Sequence, residues 1–367
     1  MDFTPTDAQQ ELGGLTREVC GKLVTADRLR ELDKDENRFD PQLWKALAET
    51  GVLAATLPEA VGGSDFGAQE QTAILRELGR ATNPVPYLWS IALAADLLAT
   101  HGSRAQQEWA TKAAAGEVIL TVALSEDRNW EPEQPATQAV AAGDGYALTG
   151  VKTTVPYAAE AARILVPATI TDGGDVALFL VDPAQPGVRG EAQEIVDHTP
   201  VQLLEFDNAA AELVGTVGPE LVRRLFERAW LGLAAVQLGV VERALELTAD
   251  YAREREQFGR KIGSFQAVAQ RLADGYISVQ GLRLTITEAA WRVAEGLDAT
   301  AAIHTAKYWA AKAGHEIAHT AVHVHGGVGI DRDHVVHNYF TSAKANEFAL
   351  GGATDQLRGI GAVLAAG

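Results

Sequence analysis

A long, uninterrupted helical pattern in the C-terminal half of the sequence constrains the fold more than any other feature. From Glu220 to about Glu256, apolar side chains recur at helical spacing and no proline breaks the pattern. The stripe is formed by Phe226, Trp230, Leu233, Gln237, Val240 and Ala244. Such a helix is longer than most helices of globular domains, so we expect it to pack lengthwise against other long helices in a bundle.

The pattern of apolar residues changes from helical to strand-like near residue 118. Before that point the pattern is helical: Thr6 and Gln9 form a capping box, and Gly51 suits the residue just after a helix. After it come short β-branched runs separated by Gly, Pro and Asp, which predict a small antiparallel β-domain. We therefore predict an α+β chain made of an N-terminal α-helical domain, a β-domain and a C-terminal four-helix bundle, at residues 1–117, 118–218 and 219–367.

The charge and cysteine content exclude several classes of protein. With 31 Lys and Arg against 49 Asp and Glu, the net charge of −18 would repel nucleic acid and anionic membranes. The single Cys20 rules out an internal disulfide framework or a cysteine-based metal cage. No apolar run approaches the roughly 20 residues of a membrane span, and the acidic N-terminus does not suit a signal peptide. Together with the single cysteine, these features lead us to expect a cytoplasmic protein. The Arg-, Ala- and Gly-rich composition is typical of a GC-rich bacterial genome.

One segment, "HEIAHTAVHVH" at residues 315–325, matches the zinc-protease pattern. His315 and His319 would share a helix face, and Glu316 could act as a general base. His325 even has the spacing of a third ligand. However, Val322 stands where the longer pattern needs a helix-breaking glycine. We therefore favour histidines on a partly solvated helix face and predict no metal, with a zinc hydrolase as the remote alternative.

A cluster of basic residues follows the long helix, in "YAREREQFGRKIGSFQ" at residues 251–266. Arg255 could bind a phosphate bidentately, Phe258 could pack on a ring, and Gln266 opens the next helix, whose N-terminus attracts anions. The residues alone leave two interpretations open, a solvated basic loop and an anion site. The glycine run "HGGVGI" at 325–330 follows a helix and not a strand, which excludes a Rossmann fingerprint.

Three segments share their spacing with one enzyme family. The R-x-x-F-G motif followed by Gln matches "REQFGRKIGSFQ", the Q-x-x-G-G-x-G motif matches "HVHGGVGI", and the P-E-x-x-G-G turn matches "LPEAVGG". On these motifs the chain resembles the acyl-CoA dehydrogenase family over essentially its whole length. The predicted order of helical domain, β-domain and helical bundle is also that family's order.

The resemblance implies half of an FAD site shared across a subunit interface. In the family, these segments reach the adenosine and pyrophosphate of the neighbouring subunit's FAD. Arg255 would bind the pyrophosphate, Phe258 would pack on the dinucleotide, and Gln266 would hydrogen-bond it. His323 replaces the family's Gln and still offers one hydrogen bond. The pair Gly326 and Gly327 would let the backbone approach.

The segments that hold the flavin ring in the family are altered here. The family's T-E-P-x-x-G-S-D stretch becomes "LSEDRNWEP", which keeps Ser125 as a flavin contact and Glu126 but loses the proline and the G-S-D. A second stretch, K-x-W-I-[ST]-N, becomes "KTTVPY". Thr154 replaces the stacking Trp, and Pro156 replaces the hydroxyl residue near the reactive edge of the flavin.

The catalytic base of the family is also missing. The reaction removes a proton α to the thioester carbonyl, which needs a carboxylate. Gly351 occupies the usual base position, and Ala229 and Val236 occupy the alternative position on the first bundle helix. We therefore predict no catalytic residue in this chain. The nearest acids that could substitute after a local shift are Glu227, Glu347 and Asp355.

These features resemble the degenerate partner in certain actinobacterial α2β2 acyl-CoA dehydrogenases linked to β-oxidation of steroid side chains and rings. The resemblance implies a homologous catalytic partner subunit, an acyl-CoA substrate, FAD at the shared interface, and electron transfer to an electron-transfer flavoprotein. Two alternatives remain. One is a self-sufficient homo-oligomeric dehydrogenase or oxidase-like flavoenzyme with a relocated acid. The other is a non-enzymatic assembly module that kept only the fold.

Overall fold

Two compact units make up the chain, and each is assembled from separate stretches of sequence. The computed structural model describes residues 3–35, 37–82, 84–129, 131 and 134–366. The helical unit comprises Met1–Glu31, Ala68–Asn83 and Trp230–Gly367. The sheet unit comprises Leu32–Gly67 and Pro84–Ala229.

The helices begin and end largely where the local sequence signals predict. Thr6 and Gln9 form the predicted capping box, with the Thr6 hydroxyl accepting from the Gln9 amide at 3.1 Å and the Gln9 side chain accepting from the Thr6 amide at 2.9 Å. Gly51, with φ of +78°, follows the third helix as expected. Within the described residues the α-helices are α1 (Asp7–Leu23), α2 (Ala26–Leu32), α3 (Pro41–Glu49), α4 (Ala68–Arg80), α5 (Asp96–His101), α6 (Arg104–Ala114), α7 (Pro219–Glu254), α8 (Gln266–Ala294), α9 (Thr300–His325), α10 (Val335–Phe348) and α11 (Ala353–Ala366).

Shorter helical turns connect these elements. Single 3₁₀ turns lie at Glu59–Val61, Ile262–Ser264 and Gly326–Ile330, and a buried π-helix spans Tyr87–Ala95. The predicted long helix is α7, with 36 residues. All six residues of its predicted apolar stripe are buried. No helix in the described part of the chain combines the length and apolarity that crossing a bilayer requires.

The sheet unit contains, within the described residues, a seven-stranded mixed sheet. Its strands are β1 (Ile119–Val122), β2 (Gln138–Ala142), β3 (Gly145–Pro156), β4 (Ala161–Ile170), β5 (Val176–Val181), β6 (Val188–Gln193) and β7 (Val201–Val214). Strand pairing runs β4–β2–β3–β7–β5 and returns to β4, so these five strands close into a small barrel. β1 and β2 pair with β4 in parallel, and all other pairs in this sheet are antiparallel. The β-domain predicted as antiparallel thus contains two parallel pairings, because alternation within short runs does not encode strand direction.

In the helical unit, α4 and α7 cross with their backbones in contact. A Cβ atom added at Gly79 would overlap the carbonyl oxygen of Val236, and one added at Gly239 would overlap that of Arg76. Only glycine allows this approach. One turn further along α7, the Glu242 carboxylate accepts from guanidinium groups of α4 and α8, at 2.7 Å from Arg76 and 2.6 Å from Arg283.

The centre of the bundle is tied by a buried amide. Gln237 of α7 is fully buried and donates to the carbonyl oxygens of Ala310 in α9, at 3.3 Å, and Ala343 in α10, at 3.0 Å. Gly314 leaves room for this amide, since a Cβ there would overlap it. One polar side chain therefore fixes the relative position of three helices.

The predicted α+β class is confirmed: a helical N-terminal region, a central sheet and a C-terminal helical bundle follow one another along the chain. The boundaries at residues 117/118 and 218/219 stay a prediction. The compact units do not follow chain order, because α1 and α4 cluster with the C-terminal helices.

The glycine crossing gives a direct test of the packing. Gly79→Ala should lower the free energy of unfolding by about 3 kcal/mol, because a methyl group must separate two helices in backbone contact. Gly21→Ala in α1 is the matched control, since its Cβ would meet nothing within 4 Å. That change should stabilise the protein by about 0.5–1 kcal/mol. Urea denaturation of both variants is the measurement, and equal midpoints would contradict the crossing.

Candidate functional site

The basic segment after α7 forms a tight hairpin that projects an aromatic ring. Strands β8 (Glu256–Gln257) and β9 (Arg260–Lys261) pair, and the two residues between them, Phe258 and Gly259, have φ of +55° and +75°. Positive φ is unfavourable for a bulky residue. The Phe258 side chain is nevertheless 93% exposed. The chain therefore holds a strained, apolar residue in solvent at this turn, which is a feature of binding sites.

Arg255, at the base of the hairpin, is exposed and pairs with no carboxylate among the described residues. Its neighbours behave differently. Arg253 pairs with Asp250 at 2.6 Å, and Lys261 pairs with Glu256 at 2.8 Å. In a chain with a net charge of −18, a guanidinium without such a partner is available for an anion.

The glycine turn after α9 is open on its outer side. A Cβ at Gly326 or Gly327 would meet no described atom within 4 Å, so a ligand could approach this backbone closely. Gly326 has φ of +63°. The side chain of His323, in the last turn of α9, is exposed. Gln266 is the exposed first residue of α8.

A small hydrophobic cluster brings these segments together. Ala252, Ile262 and Val324 form its core, and partly buried side chains pack around them, namely Tyr251, Phe265, Val268 and Leu272. These residues belong to the end of α7, the hairpin connection, the start of α8 and the end of α9. The predicted contacts Arg255, Phe258, Gln266, His323, Gly326 and Gly327 thus lie on neighbouring segments around one core.

This arrangement fits the phosphate end of a dinucleotide. It offers an exposed guanidinium with no carboxylate partner in the described chain, an exposed aromatic ring, side-chain donors and an unobstructed glycine backbone. These are the groups that bind a pyrophosphate and its nucleoside. The Arg260 guanidinium stacks 4.1 Å from the Phe265 ring, which stiffens the connection between hairpin and α8.

In the sheet unit, Glu126 serves as a structural lock. Its carboxylate accepts five hydrogen bonds, from Asn129 Nδ2, the amides of Ala136 and Thr137, the Thr137 hydroxyl and Lys152 Nζ at 2.7 Å. Burial raises the pKa of Glu126, but the Lys152 ammonium and the other donors outweigh burial and lower it to about 2. Lys152 is itself fully buried. The pair fastens the 126–137 loop to β3.

Ser125, Thr154 and Pro156 occupy positions that hold the flavin ring in the family that this chain resembles. Here they offer few groups that could contact a flavin. Ser125 is half-buried and accepts the Thr153 amide on its carbonyl at 2.9 Å. Thr154 lies on a bulge of β3 with φ of +48° and is exposed. Pro156 is buried, and its carbonyl accepts from Thr121. Trp130 and Pro132 lie outside the described residues.

The turn at the predicted base position carries no acid. Leu350 and Gly351 have φ of +52° and +98°. The Leu350 carbonyl accepts from Trp230 Nε1 at 2.8 Å, and the Gly351 carbonyl accepts from the fully buried Lys307 Nζ at 3.2 Å. A Cβ at Gly351 would lie 3.1 Å from that of Asp355. The turn is therefore fixed by packing and hydrogen bonds.

The acids considered as substitutes have structural surroundings. Glu347 lies 2.6 Å from Lys344 and 3.2 Å from His315. Asp355 accepts the Gly352 amide at 3.0 Å at the start of α11. Glu227 is half-buried on the part of α7 that belongs to the sheet unit. The alternative base positions hold a fully buried Ala229 and Val236, whose backbone contacts Gly79.

The histidine-rich segment does not favour a metal. His315 and His319 lie side by side, with ring centroids 4.5 Å apart, but Lys344 Nζ lies 3.2 Å from His315 Nδ1 and would repel a cation. His325 is buried and turned towards α7. Across residues 3–35, 37–82, 84–129, 131 and 134–366, no three His, Cys, Asp or Glu side chains form a group that could hold a metal ion.

Comparison with known families covers both ends of the chain. Residues 6–117 match the model for the acyl-CoA dehydrogenase N-terminal domain, and residues 217–364 match the model for the acyl-CoA dehydrogenase C-terminal domain. Acyl-CoA dehydrogenase FadE27 of Mycobacterium tuberculosis is 50% identical over 100% of this chain and 99% of its own length. The chain belongs to the acyl-CoA dehydrogenase family. Members of this oxidoreductase family bind FAD.

Solved structures similar to this dehydrogenase include heteromeric complexes. A chain of the ChsE4-ChsE5 complex from Mycobacterium tuberculosis has a TM-score of 0.94 and 50% identity, covering 100% of this chain and 99% of that one. A chain of a variant of the Tcur3481-Tcur3483 steroid ACAD has a TM-score of 0.93 and 38% identity, covering 98% of both chains.

Three side chains of this dehydrogenase have structural roles that its sequence does not predict: Lys307 under the base turn, Lys152 beside Glu126, and His325 against Tyr251. Lys307 and Lys152 sit within patterns typical of solvent-facing residues, and nothing in the sequence marks them as fully buried. The sequence suggests His325 only as a possible metal ligand.

Lys307 gives the stability a pH dependence of predictable sign. Burial, opposed by the charges of Glu347 and Asp355, lowers the pKa of Lys307 to about 7. Between that value and its unfolded pKa of about 10.4, the unfolded chain holds the proton and the folded chain does not, so stability from this residue rises with pH. We expect Lys307→Met to lose this rise between pH 7 and 9 in urea denaturation. Parallel curves for the two proteins would contradict a buried, neutral amine.

Proposed function

We propose that this chain is the non-catalytic subunit of a heteromeric, FAD-dependent acyl-CoA dehydrogenase. The hairpin at Arg255 and the turn at Gly326 would hold the adenosine and pyrophosphate of an FAD whose ring lies in the homologous partner subunit. The partner would also supply the catalytic glutamate. The heteromeric ChsE4-ChsE5 complex, to one chain of which this chain is similar, supports pairing with a homologous subunit, and we propose an α2β2 assembly.

One observation carries the proposal: the retained half of the site is open and the other half is altered. Arg255 has no carboxylate partner among the described residues, Phe258 is exposed and the glycine turn is unobstructed. The flavin-ring positions instead carry a bulged Thr154 and a buried Pro156. A self-contained active site would need both halves in one chain.

The chemistry divides between the subunits in the same way. Bound FAD would supply the acceptor for the hydride that leaves the β-carbon of the acyl group. Removal of the α-proton needs a carboxylate against the α-carbon. This chain has a glycine turn at Gly351. Of the acids nearby, Asp355 caps the start of α11 and Glu347 forms an ion pair with Lys344. Its own residues therefore bind and orient the cofactor without moving the proton.

The acyl group proposed is a steroid-derived CoA thioester, because one of the similar structures is described as a steroid ACAD. An electron-transfer flavoprotein would reoxidise the flavin, as the family resemblance implies. Similar relatives come from bacteria, and the single cysteine suits a reducing compartment, so we place the complex in the bacterial cytoplasm.

The flavin content of the purified protein tests the proposal. The chain is produced alone and together with a homologous partner, and flavin absorbance is measured per chain. We expect flavin only in the co-produced complex, at one FAD for each pair of chains. Flavin at one per chain in the protein alone, with dehydrogenase activity, would instead establish a self-sufficient enzyme. A co-produced complex that contains no flavin would support the alternative of a non-enzymatic assembly module.

Arg255→Ala should loosen FAD in the complex, because a charge-assisted contact to phosphate is lost. The expected cost is about 1.5–3 kcal/mol, or roughly ten- to a hundredfold in the dissociation constant. Fluorescence of released flavin measures it. Arg253→Ala is the matched control, since Arg253 lies two residues earlier and already pairs with Asp250. Equal flavin retention in the two variants would show that Arg255 does not bind FAD.

Asp355→Asn and Glu347→Gln should leave turnover of the complex within about twofold, because neither acid takes the substrate proton in this proposal. Asn at 355 still accepts the Gly352 amide, so the start of α11 is preserved. Steady-state assays with an artificial electron acceptor provide the measurement. A loss of two or more orders of magnitude in either variant would identify a relocated base.

A further inference from the structure

His325 makes two directed contacts that a simple core residue would not need. Its ring stacks on Tyr251, with centroids 4.3 Å apart and planes inclined by 23°. Its Nδ1 donates to the Ala321 carbonyl at 2.8 Å. The ring is buried, with 5% of the residue exposed. Together the hydrogen bond and the stack fix the plane of the imidazole.

The two residues of this stack belong to the two arms of the candidate cofactor site. Tyr251 lies in the last turn of α7, and its carbonyl accepts the Arg255 amide at 2.9 Å. His325 ends α9 and directly precedes Gly326, whose amide donates back to the carbonyls of Val322 and His323. The stack is therefore a direct link between the arm that carries Arg255 and the arm that carries the glycine turn.

We propose that His325 is a positioning residue that holds the Gly326–Gly327 turn against the end of α7 through its stack on Tyr251. The spacing between the guanidinium of Arg255 and the open glycine backbone is then set by this ring pair. The inference rests on the proposed function, because its readout is the affinity of the complex for FAD. It also gives the last histidine of the "HEIAHTAVHVH" segment a role other than metal binding.

A metal-ligand role does not fit this ring. A second imidazole, His334, lies 5.3 Å away between centroids, but no group of three His, Cys, Asp or Glu side chains that could hold a metal ion occurs in the described part of the chain. His334 itself accepts the Val336 amide at the start of α10. Burial lowers the pKa of His325, and proximity to His334 lowers it further against the opposing hydrogen bond to Ala321, so that the stacked ring is favoured as neutral.

Two substitutions at one position isolate the flat ring. His325→Phe keeps a ring against Tyr251, whereas His325→Leu fills the space without one, and both lose the hydrogen bond to Ala321. In the co-produced complex, we expect His325→Leu to raise the FAD dissociation constant by about five- to tenfold and His325→Phe to restore it to within about twofold of the unmodified complex. Tyr251→Leu should match His325→Leu, and the double variant should lose no more than either alone, because both remove the same contact.

His304 provides a matched control within the same bundle. It is also buried, and its ring packs on Trp230 with centroids 4.7 Å apart and planes inclined by 40°. Its Nδ1 pairs with Gln356 at 2.8 Å, but it lies outside the cofactor arms. His304→Leu should lower the unfolding temperature as His325→Leu does and leave FAD affinity within about twofold. FAD affinity and thermal unfolding are measured on every complex.

The outcomes separate this inference from the proposed function. If His325→Leu and His325→Phe bind FAD equally, or if His304→Leu weakens FAD as much as His325→Leu, the positioning role is overturned. Arg255→Ala is the reference in the same assay. If Arg255→Ala weakens FAD binding and His325→Leu does not, the proposed function stands and the positioning role of His325 is overturned. If Arg255→Ala leaves FAD affinity unchanged, both the proposed function and the positioning role of His325 are overturned.

Discussion

The backbone contact between α4 and α7 is the constraint on which the rest of the helical unit depends. Gly79 and Gly239 allow the two helices to touch, and Glu242, one turn later, is clamped by arginines from α4 and α8. Because α7 continues as one unbroken helix to Glu254, the crossing also determines where its last turn lies. Tyr251, Arg255 and the hairpin are positioned from this anchor.

Ion pairing distinguishes the buried carboxylates of this chain from an exposed arginine. Buried carboxylates such as Glu126 and Glu242 are saturated with donors, as burial of a charge requires. Arg255 is the contrasting case, exposed and without a carboxylate partner among the described residues. Under the proposed function, the pyrophosphate of FAD would supply the counter-charge of Arg255. The exposed, left-handed Phe258 beside it points the same way.

The sequence predicts the elements of this fold better than their arrangement. The capping box at Thr6, the length of α7 and the order of helical and strand-rich regions depend on neighbours in sequence, and all are predicted from it. Parallel pairing of β1 and β2 with β4 depends on contacts far apart in the chain, so local alternation predicts the wrong direction. The candidate cofactor contacts come from family motifs. Lys307 and the ring of His325 become visible only through burial and stacking.

The left-handed turn at Leu350 and Gly351 has an evolutionary consequence. A carboxylate placed at Gly351 by a single substitution would be strained, because the backbone there favours glycine and the added Cβ would lie 3.1 Å from that of Asp355. Under the proposed division of labour, this strain would disfavour the recovery of a base in this chain and would keep the chain dependent on its partner subunit.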